Sequence, residues 1–277
     1  MGDSNFGELL FGSFRSAFAN ILSYLPVMLV FALLSTVLTL LFSSWLTSAL
    51  NSGGGVFLVQ LTLTVIAQVL FAAYQLFITA LASDAYNDAE PSLPEAGMVA
   101  LTRTPTMVAA AFLSMIPIGI GLLLCGFPAI IVAVFLSLTA PCVALGDEGP
   151  IGSMRESFEL VQGNWLQTFL LFMVCGFLIS IPMFLIMLPL FFLGVPAVLE
   201  FAKDWSINIF GILMFFLAAL FGYFFWNFTI ILATHIYKDY SGESAGGSGA
   251  TGGSGYSPAS GGSAGSRGWG SLPIRRR

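Results

Sequence analysis

Charge is what this sequence has least of. Only 8% of its 277 residues are charged, whereas 57% are hydrophobic. Soluble globular domains carry about 25% charged residues, so this chain lacks the polar atoms that cover a surface in contact with water. The composition excludes a soluble domain and indicates a protein of the lipid bilayer. Because the formal net charge is −5, we expect no nucleic-acid partner.

The few charges are also segregated into short segments. The stretches between these segments each exceed the roughly 20 apolar residues that cross a bilayer. Two of the stretches are divided by helix breakers, a Gly-rich run at 51–55 and Gly126-Phe127-Pro128. Within residues 1–240 we predict an all-α, polytopic membrane protein with six transmembrane helices, near residues 20–43, 57–82, 105–125, 128–145, 165–189 and 207–236.

Basic residues near the ends of the predicted spans indicate the orientation. Arg15, Arg103, Arg155 and Lys238 fall on one side of a six-span topology, and only Lys203 falls on the other. Because Lys and Arg concentrate in cytoplasmic loops, this asymmetry predicts that both termini are cytoplasmic. It also favours an even number of spans.

Patterns typical of catalysis are absent from the sequence. It contains no Walker A, HExxH or GxSxG segment, and we interpret its one histidine, His235, as an interfacial anchor beside Tyr237. The wide, irregular spacing of Cys125, Cys142 and Cys175 favours packing over metal binding or a redox pair. Proton relays and ion-coupled carriers usually need ionised groups inside the membrane, and the predicted spans carry none. We therefore expect no enzymatic activity, no cofactor and no ion-coupled pump.

One acidic cluster raises the question of a metal site. Asp84, Asp88 and Glu90 follow the second span, and a DxxxD arrangement beside a membrane helix can chelate a Mg²⁺ ion that holds a diphosphate. Such sites use two motifs that face one cavity. The second candidate here, Glu200 with Asp204, falls on the opposite side of the predicted topology. We favour a solvated acidic loop over a metal site.

Short amphipathic segments lie between the spans. Ile151, Met154, Phe158 and Val161 recur at helical spacing, and Arg155 points to another face. A similar apolar stripe runs through the first 21 residues, and a weaker one begins near residue 92. We predict three interfacial helices on the cytoplasmic side, with apolar faces toward lipid or toward the bundle.

These segments suggest an internal repeat. An interfacial helix followed by a transmembrane hairpin begins near residues 4, 92 and 150. Ser92 with Glu95, and Ser153 with Glu156, resemble capping boxes at the start of two of these helices. The alternative is that any loop between two spans tends to have an amphipathic edge.

Part of the chain resembles a known family. The residues that carry the resemblance are Cys125-Gly126-Phe127-Pro128-Ala129-Ile130-Ile131, Pro141, Gly146-Asp147-Glu148-Gly149 and Ser153-Met154-Arg155-Glu156-Ser157. They are similar to the core of YciC-type bacterial inner-membrane proteins, whose layout recurs in the membrane domain of some glycerophosphodiester phosphodiesterases. The local match covers about residues 120–170 and departs from the family at Ala129, where glycine is usual. The resemblance implies a bacterial multi-pass protein of the cytoplasmic membrane and brings no active-site residues.

The second predicted span carries a polar stripe. Five residues share one face of this helix: Gln60, Thr64, Gln68, Gln75 and Thr79. Because an unsatisfied amide is costly in lipid, the stripe should face protein or water. Hydrogen bonding between helices is one interpretation. The wall of a hydrated cavity, with Asn208 and Asn227 of the last span, is the other.

Residues 241–277 differ from the rest of the chain. Gly and Ser dominate up to Ser271, and the chain ends in Arg275-Arg276-Arg277. This composition cannot bury enough apolar area to offset its ordering entropy, so we predict a disordered cytoplasmic tail. The three arginines favour contact with anionic lipid headgroups. A solvated tail without a partner is the alternative.

Two functions are compatible with these features. The leading hypothesis is a non-enzymatic scaffold or accessory component in envelope maintenance, which has a membrane-protein partner or forms a homo-oligomer. The alternative is a transporter or lipid-handling protein whose polar cavity is lined by Gln60, Gln68 and Gln75. A continuous hydrated path beside these glutamines favours the second hypothesis, and their packing against neighbouring helices favours the first.

Overall fold

A computed structural model describes residues 6–51, 56–87, 89–124, 126–146, 148–204 and 209–242. All regular elements in these ranges are α-helices. The predictions for Cys125, Asp88, Asn208 and the tail from residue 243 onward, with Arg275, Arg276 and Arg277, lie outside the described residues. The helices are α1 (Phe6–Ala19), α2 (Ile21–Asn51), α3 (Val56–Tyr86), α4 (Leu93–Leu123), α5 (Phe127–Phe135), α6 (Thr139–Leu145), α7 (Pro150–Gln162), α8 (Trp165–Asp204) and α9 (Ile209–Tyr240).

Six segments of the described chain are long and apolar enough to cross a membrane, so the predicted all-α class and span count are confirmed. Their long apolar sequences allow helices, which satisfy most backbone hydrogen bonds internally as a bilayer requires. The six segments are Ile21–Leu41, Leu61–Tyr86, Leu93–Leu123, Phe127–Leu145, Trp165–Leu185 and Phe216–Tyr240.

The bundle has two ends, which we call basal and distal. At the basal end α3 and α9 finish and α4 and α8 begin. Near the end of α3, the Asp84 carboxylate accepts a hydrogen bond from the Ser92 N–H that precedes α4 (3.3 Å). The hydroxyls of Thr168 and Tyr240 join the start of α8 to the end of α9 (3.2 Å). The distal end lies at the opposite ends of these helices.

The turn between α4 and α5 forms at the predicted breaker. Gly126 adopts a φ of 80°, a left-handed conformation that residues with a side chain rarely adopt. Pro128 lies in the first turn of α5, where its missing N–H costs nothing. Gly121 of α4 lies so close to Ala129 of α5 that a Cβ at position 121 would be 2.5 Å from the Ala129 nitrogen. Glycine therefore permits the close approach of the two helices.

The predicted span at 128–145 is divided into α5 and α6 rather than continuous. Ser157 of α7 stabilises the break, because its hydroxyl donates to the Phe135 carbonyl (2.8 Å) and accepts from the Leu138 N–H (3.2 Å). These are backbone groups that a continuous helix would pair internally. The division therefore depends on a side chain from the next helix.

The amphipathic segments differ in their structures. Two of them form the separate helices α1 and α7, but the segment that begins at Ser92 is the first part of α4 and continues into the span. The Ser92 hydroxyl accepts from the Glu95 N–H (3.3 Å), as a capping residue does. The capping role predicted for Ser153 is wrong, because Gly149 caps α7 and Ser153 lies buried inside the helix. Pro150 begins the helix earlier than the Ser-x-x-Glu pattern indicated.

The apolar stripe of α7 divides between the bundle and the outside, because Phe158 stacks on Phe135 of α5 with 4.5 Å between ring centroids, while Ile151 lies outside. Ile151 is 70% exposed and Phe158 is 44% exposed, whereas Val161 is fully buried. The face toward the bundle is completed by the small residues Ser153 and Ser157. In a bilayer, exposed apolar side chains contact lipid, so Ile151 has the predicted direction toward lipid, whereas Val161 has the predicted direction toward the bundle.

The core surrounds the basal half of α9. Residues 231–238 are all buried, and Ile231, Leu232 and Ile236 are almost completely inaccessible. Helices α1, α2, α3 and α8 pack around this segment. Because α9 is central, its side chains line cavities on more than one side of the bundle.

Candidate functional site

The predicted polar stripe does not lie in one environment. Thr64 and Gln68 line a cavity in the distal half of the bundle, and Gln75 lines a different cavity in the basal half. Thr79 is fully buried in the core, and its hydroxyl has no hydrogen-bond partner among the described residues. The side chain of Gln60 lies outside the described part of α3. The stripe therefore divides between two sites.

The larger site, which we call the lateral cleft, has a volume of about 680 Å³. Helices α5 and α8 line two of its sides, α9 lines a third, and α3 contributes Gln75. Most lining side chains are apolar, including Ile130, Ala133 and Val134 of α5, Phe169, Phe172 and Met173 of α8, and Trp226, Ile230 and Ala233 of α9.

The lateral cleft opens to the outside of the bundle within the membrane-spanning segments. Ile130, Met173 and Trp226 are 51%, 48% and 43% exposed, so the side chains at its edge are not covered by other helices. Along α9 the cleft lies about 10–20 Å from the basal end at about 1.5 Å per residue. Lipid tails of one leaflet therefore have direct access to it.

Three polar side chains lie among the apolar residues of the lateral cleft. They are Gln75, Ser137 and Thr229. The Ser137 hydroxyl donates to the Val134 carbonyl of its own helix turn (2.7 Å). The Gln75 amide makes no hydrogen bond with the described residues. That amide is therefore available to a ligand in the cleft.

The second site, which we call the distal cavity, has a volume of about 330 Å³. It lies between α2, α3 and Tyr223 of α9. Its polar side chains are Ser35 and Thr39 of α2 and Thr64 and Gln68 of α3. The corresponding positions are about 20–35 Å from the basal ends of their helices. The two cavities therefore occupy opposite halves of the membrane-spanning bundle.

A buried hydrogen-bonded cluster separates the two cavities at mid-bundle. The Tyr74 hydroxyl donates to the Tyr223 carbonyl (3.0 Å) and also lies against the Asn227 side-chain oxygen. The Asn227 amide nitrogen donates to the Met28 sulfur (2.8 Å). Tyr74 and Tyr223 contact each other edge to face at 4.5 Å between ring centroids. A hydrated cavity beside Asn227 was one of the two interpretations of the sequence, and the structure has Asn227 in this packed cluster.

The basal end carries the residues that the sequence suggested for a metal site or an anchor. Asp84 accepts from Ser92 and Glu90 is exposed. Within the described residues, no group of three or more potential ligands could hold a metal ion. The His235 ring lies 4.9 Å from the Tyr86 ring and is buried rather than placed at an exposed interface. Helix packing, not a solvated headgroup layer, surrounds this histidine.

Glu156 of α7 connects the amphipathic helix to the bundle. Its carboxylate accepts a hydrogen bond from the Tyr237 hydroxyl (3.2 Å). Partial burial raises the pKa of the Glu156 carboxyl above its ordinary value, and the bond from Tyr237 opposes that shift. Arg155 and Glu159 form an exposed ion pair on the same helix (2.7 Å). Cys142 and Cys175 are buried and free, as expected for packing residues.

A repeated motif was missed in the sequence. Gly12-Ser13-Phe14-Arg15 of α1 and Gly152-Ser153-Met154-Arg155 of α7 have the same G-S-x-R pattern. In both copies the serine is buried and the arginine is exposed. Each helix is followed by an asparagine, Asn20 or Asn164, whose carbonyl accepts from the N–H four residues later. A direct comparison of the two amphipathic segments would have found the pattern.

The architecture is that of a polytopic α-helical membrane protein, and its described residues include the lateral cleft and the distal cavity at membrane-spanning positions. Residues 92–239, just over half of the chain, match the family described as "Domain of unknown function (DUF7847)". The chain therefore belongs to this family. No curated protein and no solved structure matches the chain. The matched region contains every lining residue of the lateral cleft except Gln75, whereas only Tyr223 of the distal cavity lies within it.

Proposed function

We propose that the protein is a non-enzymatic membrane protein that holds a membrane lipid in the lateral cleft. The observation that carries this proposal is a cleft of about 680 Å³ with apolar walls that opens between α5 and α8 inside the membrane-spanning segments. Ligand pockets in proteins usually have volumes of about 300–1,000 Å³ and mostly apolar walls. The medium that surrounds such an opening is lipid, so a lipid is the occupant that the site fits best.

The polar groups of the cleft supply the selectivity. A lipid tail that leaves the bilayer for an apolar cleft gains little from the hydrophobic effect, because it exchanges one apolar environment for another. Dispersion contacts and hydrogen bonds must therefore hold the lipid. The free amide of Gln75, with Thr229 nearby in the lining, can bond an ester or hydroxyl group of a lipid.

The family match supports the choice of this cleft over the distal cavity. Helices α5, α8 and α9, which supply most of its surface, all lie within residues 92–239. A site built almost completely from the family region is the better candidate for a property that the family shares. This argument moves us from the scaffold hypothesis to its lipid-handling alternative.

The proposal assigns no catalytic role and no cofactor. The candidate spans contain no ionised group within the two cavities, whose lining includes only uncharged side chains. General acid–base chemistry needs a titratable group within hydrogen-bond reach of the substrate. Lipid retention needs none. A scaffold role with a membrane-protein partner or a second copy of the chain stays a prediction from the sequence.

We further infer that the protein is a YciC-like component of a bacterial cytoplasmic membrane with both termini in the cytoplasm. The basic residues that support this orientation are Arg15, Arg103, Arg155 and Lys238. Arg275, Arg276 and Arg277 would then face the anionic inner leaflet. A reporter enzyme that is active only outside the cytoplasm should be inactive when fused to the C-terminus, and activity there contradicts this orientation.

Lipid retention tests the main proposal directly. The full-length protein is extracted in mild detergent, and native mass spectrometry measures the lipid bound per protein. We expect stoichiometric lipid on the wild type. Ala133→Trp fills the cleft from α5, so it should retain about tenfold less lipid, the effect of about 1.4 kcal/mol in binding free energy. The control is Ala218→Trp, at an exposed position of α9 outside the cleft.

Two outcomes contradict the lipid proposal. One is equal lipid retention by Ala133→Trp and Ala218→Trp, which places the lipid elsewhere on the protein. The other is a wild-type protein that carries a stoichiometric protein partner and no lipid, which favours the scaffold hypothesis instead. Protein identification in the same preparation therefore separates the two functions.

A further inference from the structure

The distal cavity differs from the lateral cleft in the chemistry of its walls. Five polar side chains from three helices line it: Ser35, Thr39, Thr64, Gln68 and Tyr223. All lie within candidate membrane spans, where polar groups are rare unless another helix or a ligand satisfies them. A volume of about 330 Å³ is enough for a small ligand.

The hydrogen bonds of these side chains define what the cavity offers. The Ser35 hydroxyl donates to the Ala32 carbonyl (3.0 Å), and the Thr39 hydroxyl donates to the Ser35 carbonyl (2.8 Å). Their protons are used within α2. The Thr39 oxygen remains as an acceptor, and the Ser35 oxygen keeps one lone pair, because the Ser35 side chain also hydrogen-bonds the Tyr223 hydroxyl. The Gln68 amide is absent from the hydrogen bonds of the described residues and offers both donors and an acceptor. The lining is therefore rich in acceptors and has one free amide.

The lining also excludes ions. It contains no Asp, Glu, Lys, Arg or His, so a bound ion would lose its hydration without a counter-charge, which costs far more than the loss of a neutral group's hydration. An anion would in addition meet the hydroxyl acceptors. A neutral hydroxyl group is the best complement, because it donates to the Ser35 and Thr39 oxygens and can pair with both parts of the Gln68 amide.

We propose that the distal cavity binds an uncharged, hydroxyl-bearing group. The group belongs either to the headgroup of a neutral glycolipid or to a free polyol. The inference does not depend on the lipid proposed for the lateral cleft, because the two cavities share no lining residue. The Tyr74–Asn227 cluster lies between them. Each site can therefore fail its test while the other passes.

Gln68 and Gln75 provide a matched pair for the experiment. They lie on the same face of α3 and both are partly exposed, but Gln68 lines the distal cavity and Gln75 lines the lateral cleft. The full-length protein is placed in phosphatidylcholine nanodiscs that contain a minor amount of monoglucosyl diacylglycerol, or glycerol is added to the same nanodiscs. Native mass spectrometry measures bound glycolipid, and saturation-transfer NMR measures bound glycerol.

We expect the wild type to bind one of the two probes in preference to phosphatidylcholine. Gln68→Leu should weaken that binding about fivefold to tenfold, as expected for loss of a hydrogen-bonding amide. Gln75→Leu tests whether the same probe binds in the lateral cleft instead, and Ser180→Ala, whose side chain lines neither cavity, should leave the binding unchanged. Bound glycolipid supports a headgroup site, and bound glycerol without glycolipid supports a site for a free polyol. Thr39→Val is a second variant that removes an acceptor and should weaken the same probe.

The proposal is overturned if the cavity holds water alone, so that neither probe binds the wild type. Equal binding by Gln68→Leu and the wild type also overturns it. Size-exclusion profiles establish that each variant is folded, and Leu at a partly exposed position of a membrane span should be well tolerated. Loss of glycolipid binding in Gln75→Leu but not in Gln68→Leu would assign the probe to the lateral cleft and reject the distal site.

Discussion

The lateral cleft and the distal cavity are both lined by the same face of α3, but the polarity of their other walls differs. Gln75 and Gln68 are seven residues apart on α3, yet one amide lies among Phe, Met and Ile side chains and the other among hydroxyl groups. The difference comes from the other walls of each cavity, since α5, α8 and α9 line the lateral cleft with Gln75 and α2 lines the distal cavity with Gln68. Partner helices, rather than the stripe itself, determine the chemistry of each site.

The polar side chains of the distal cavity are stable in a membrane because some of them form hydrogen bonds within their own helix. Ser35 and Thr39 each donate to a carbonyl of α2 three or four residues earlier, so their hydroxyls cost little when no ligand is bound. Gln68 and Gln75 have no such local partner within reach on α3. The two glutamine amides therefore need a hydrogen-bond partner from a ligand. The hydroxyl groups do not need one, and they contribute only to the lining of the site.

The largest expected effect concerns the wall of the lateral cleft. Gly121→Ala would place a Cβ 2.5 Å from the Ala129 nitrogen and 2.7 Å from its Cα, so α5 must move away from α4. We expect the free energy of unfolding to fall by about 3 kcal/mol, the upper part of the usual range for overpacking. Unfolding by SDS in mild detergent micelles measures this change.

The control for that prediction is Gly119→Ala. A Cβ at position 119 has no heavy atom within 4 Å, so this variant should be as stable as the wild type or gain up to about 1 kcal/mol from helix propensity. Lipid retention should fall in Gly121→Ala because α5 is displaced, while polyol or glycolipid binding at the distal cavity should not change. Equal stability of the two variants would show that α4 and α5 do not approach as closely as described.

The next effect concerns the boundary between the two cavities. Tyr74→Phe removes the hydroxyl that bonds Asn227 and the Tyr223 carbonyl. We expect a loss of about 1–2 kcal/mol in the free energy of unfolding, because hydrogen bonds between membrane helices average about 0.6 kcal/mol and the buried Asn227 oxygen loses its donor. The same SDS titration measures it.

Thr79→Val is the matched control for the Tyr74 prediction. The Thr79 hydroxyl is buried on α3 and has no hydrogen-bond partner among the described residues, so its replacement by a group of similar shape should cost nothing. If Thr79→Val were as destabilising as Tyr74→Phe, loss of shape rather than loss of the hydrogen bonds would explain both. The cluster would then not separate the cavities by its bonding.

The smallest effect concerns the break that shapes one side of the lateral cleft. Ser157→Ala removes one hydroxyl that bonds the Phe135 carbonyl and the Leu138 N–H. We expect a loss of about 1 kcal/mol, because those groups can partly pair within a more continuous helix. Ser180→Ala is the control, since the Ser180 hydroxyl donates only to the Gly176 carbonyl of its own exposed helix. Backbone hydrogen exchange at residues 135–139 should increase in Ser157→Ala alone.

Some features of the fold follow directly from local sequence. Gly126 with Pro128 marks the turn between α4 and α5, since one residue supplies the left-handed conformation and the other begins a helix. The division of α5 from α6 could not be predicted in this way. Residues 136–138 contain no Gly or Pro, and the side chain that stabilises the break belongs to α7. The sequence around residues 136–138 therefore does not predict a break that depends on a side chain of another helix.

The candidate site shows the same division. The polar face of α3 was predictable because helical periodicity brings Gln68 and Gln75 into line. Tyr74 was not predicted, although it organises the buried cluster, because an aromatic residue in an apolar run has the same local pattern whether it faces lipid or Asn227. The directions of Ile151 and Phe158 on α7 were likewise open. An amphipathic pattern predicts which residues share a face, but not that Ile151 is exposed while Phe158 stacks on Phe135.

The scarcity of charge, together with the helix breakers at 51–55 and 126–128, was sufficient to predict six membrane-spanning helices, because an apolar helix of about 20 residues satisfies its own backbone and needs no information from the rest of the chain. The cavities required the packed structure. Their walls combine α3 with α5, α8 and α9 in one half and with α2 and α9 in the other. Which helices become neighbours depends on close contacts such as Gly121 with Ala129, and such contacts join residues that no single span contains.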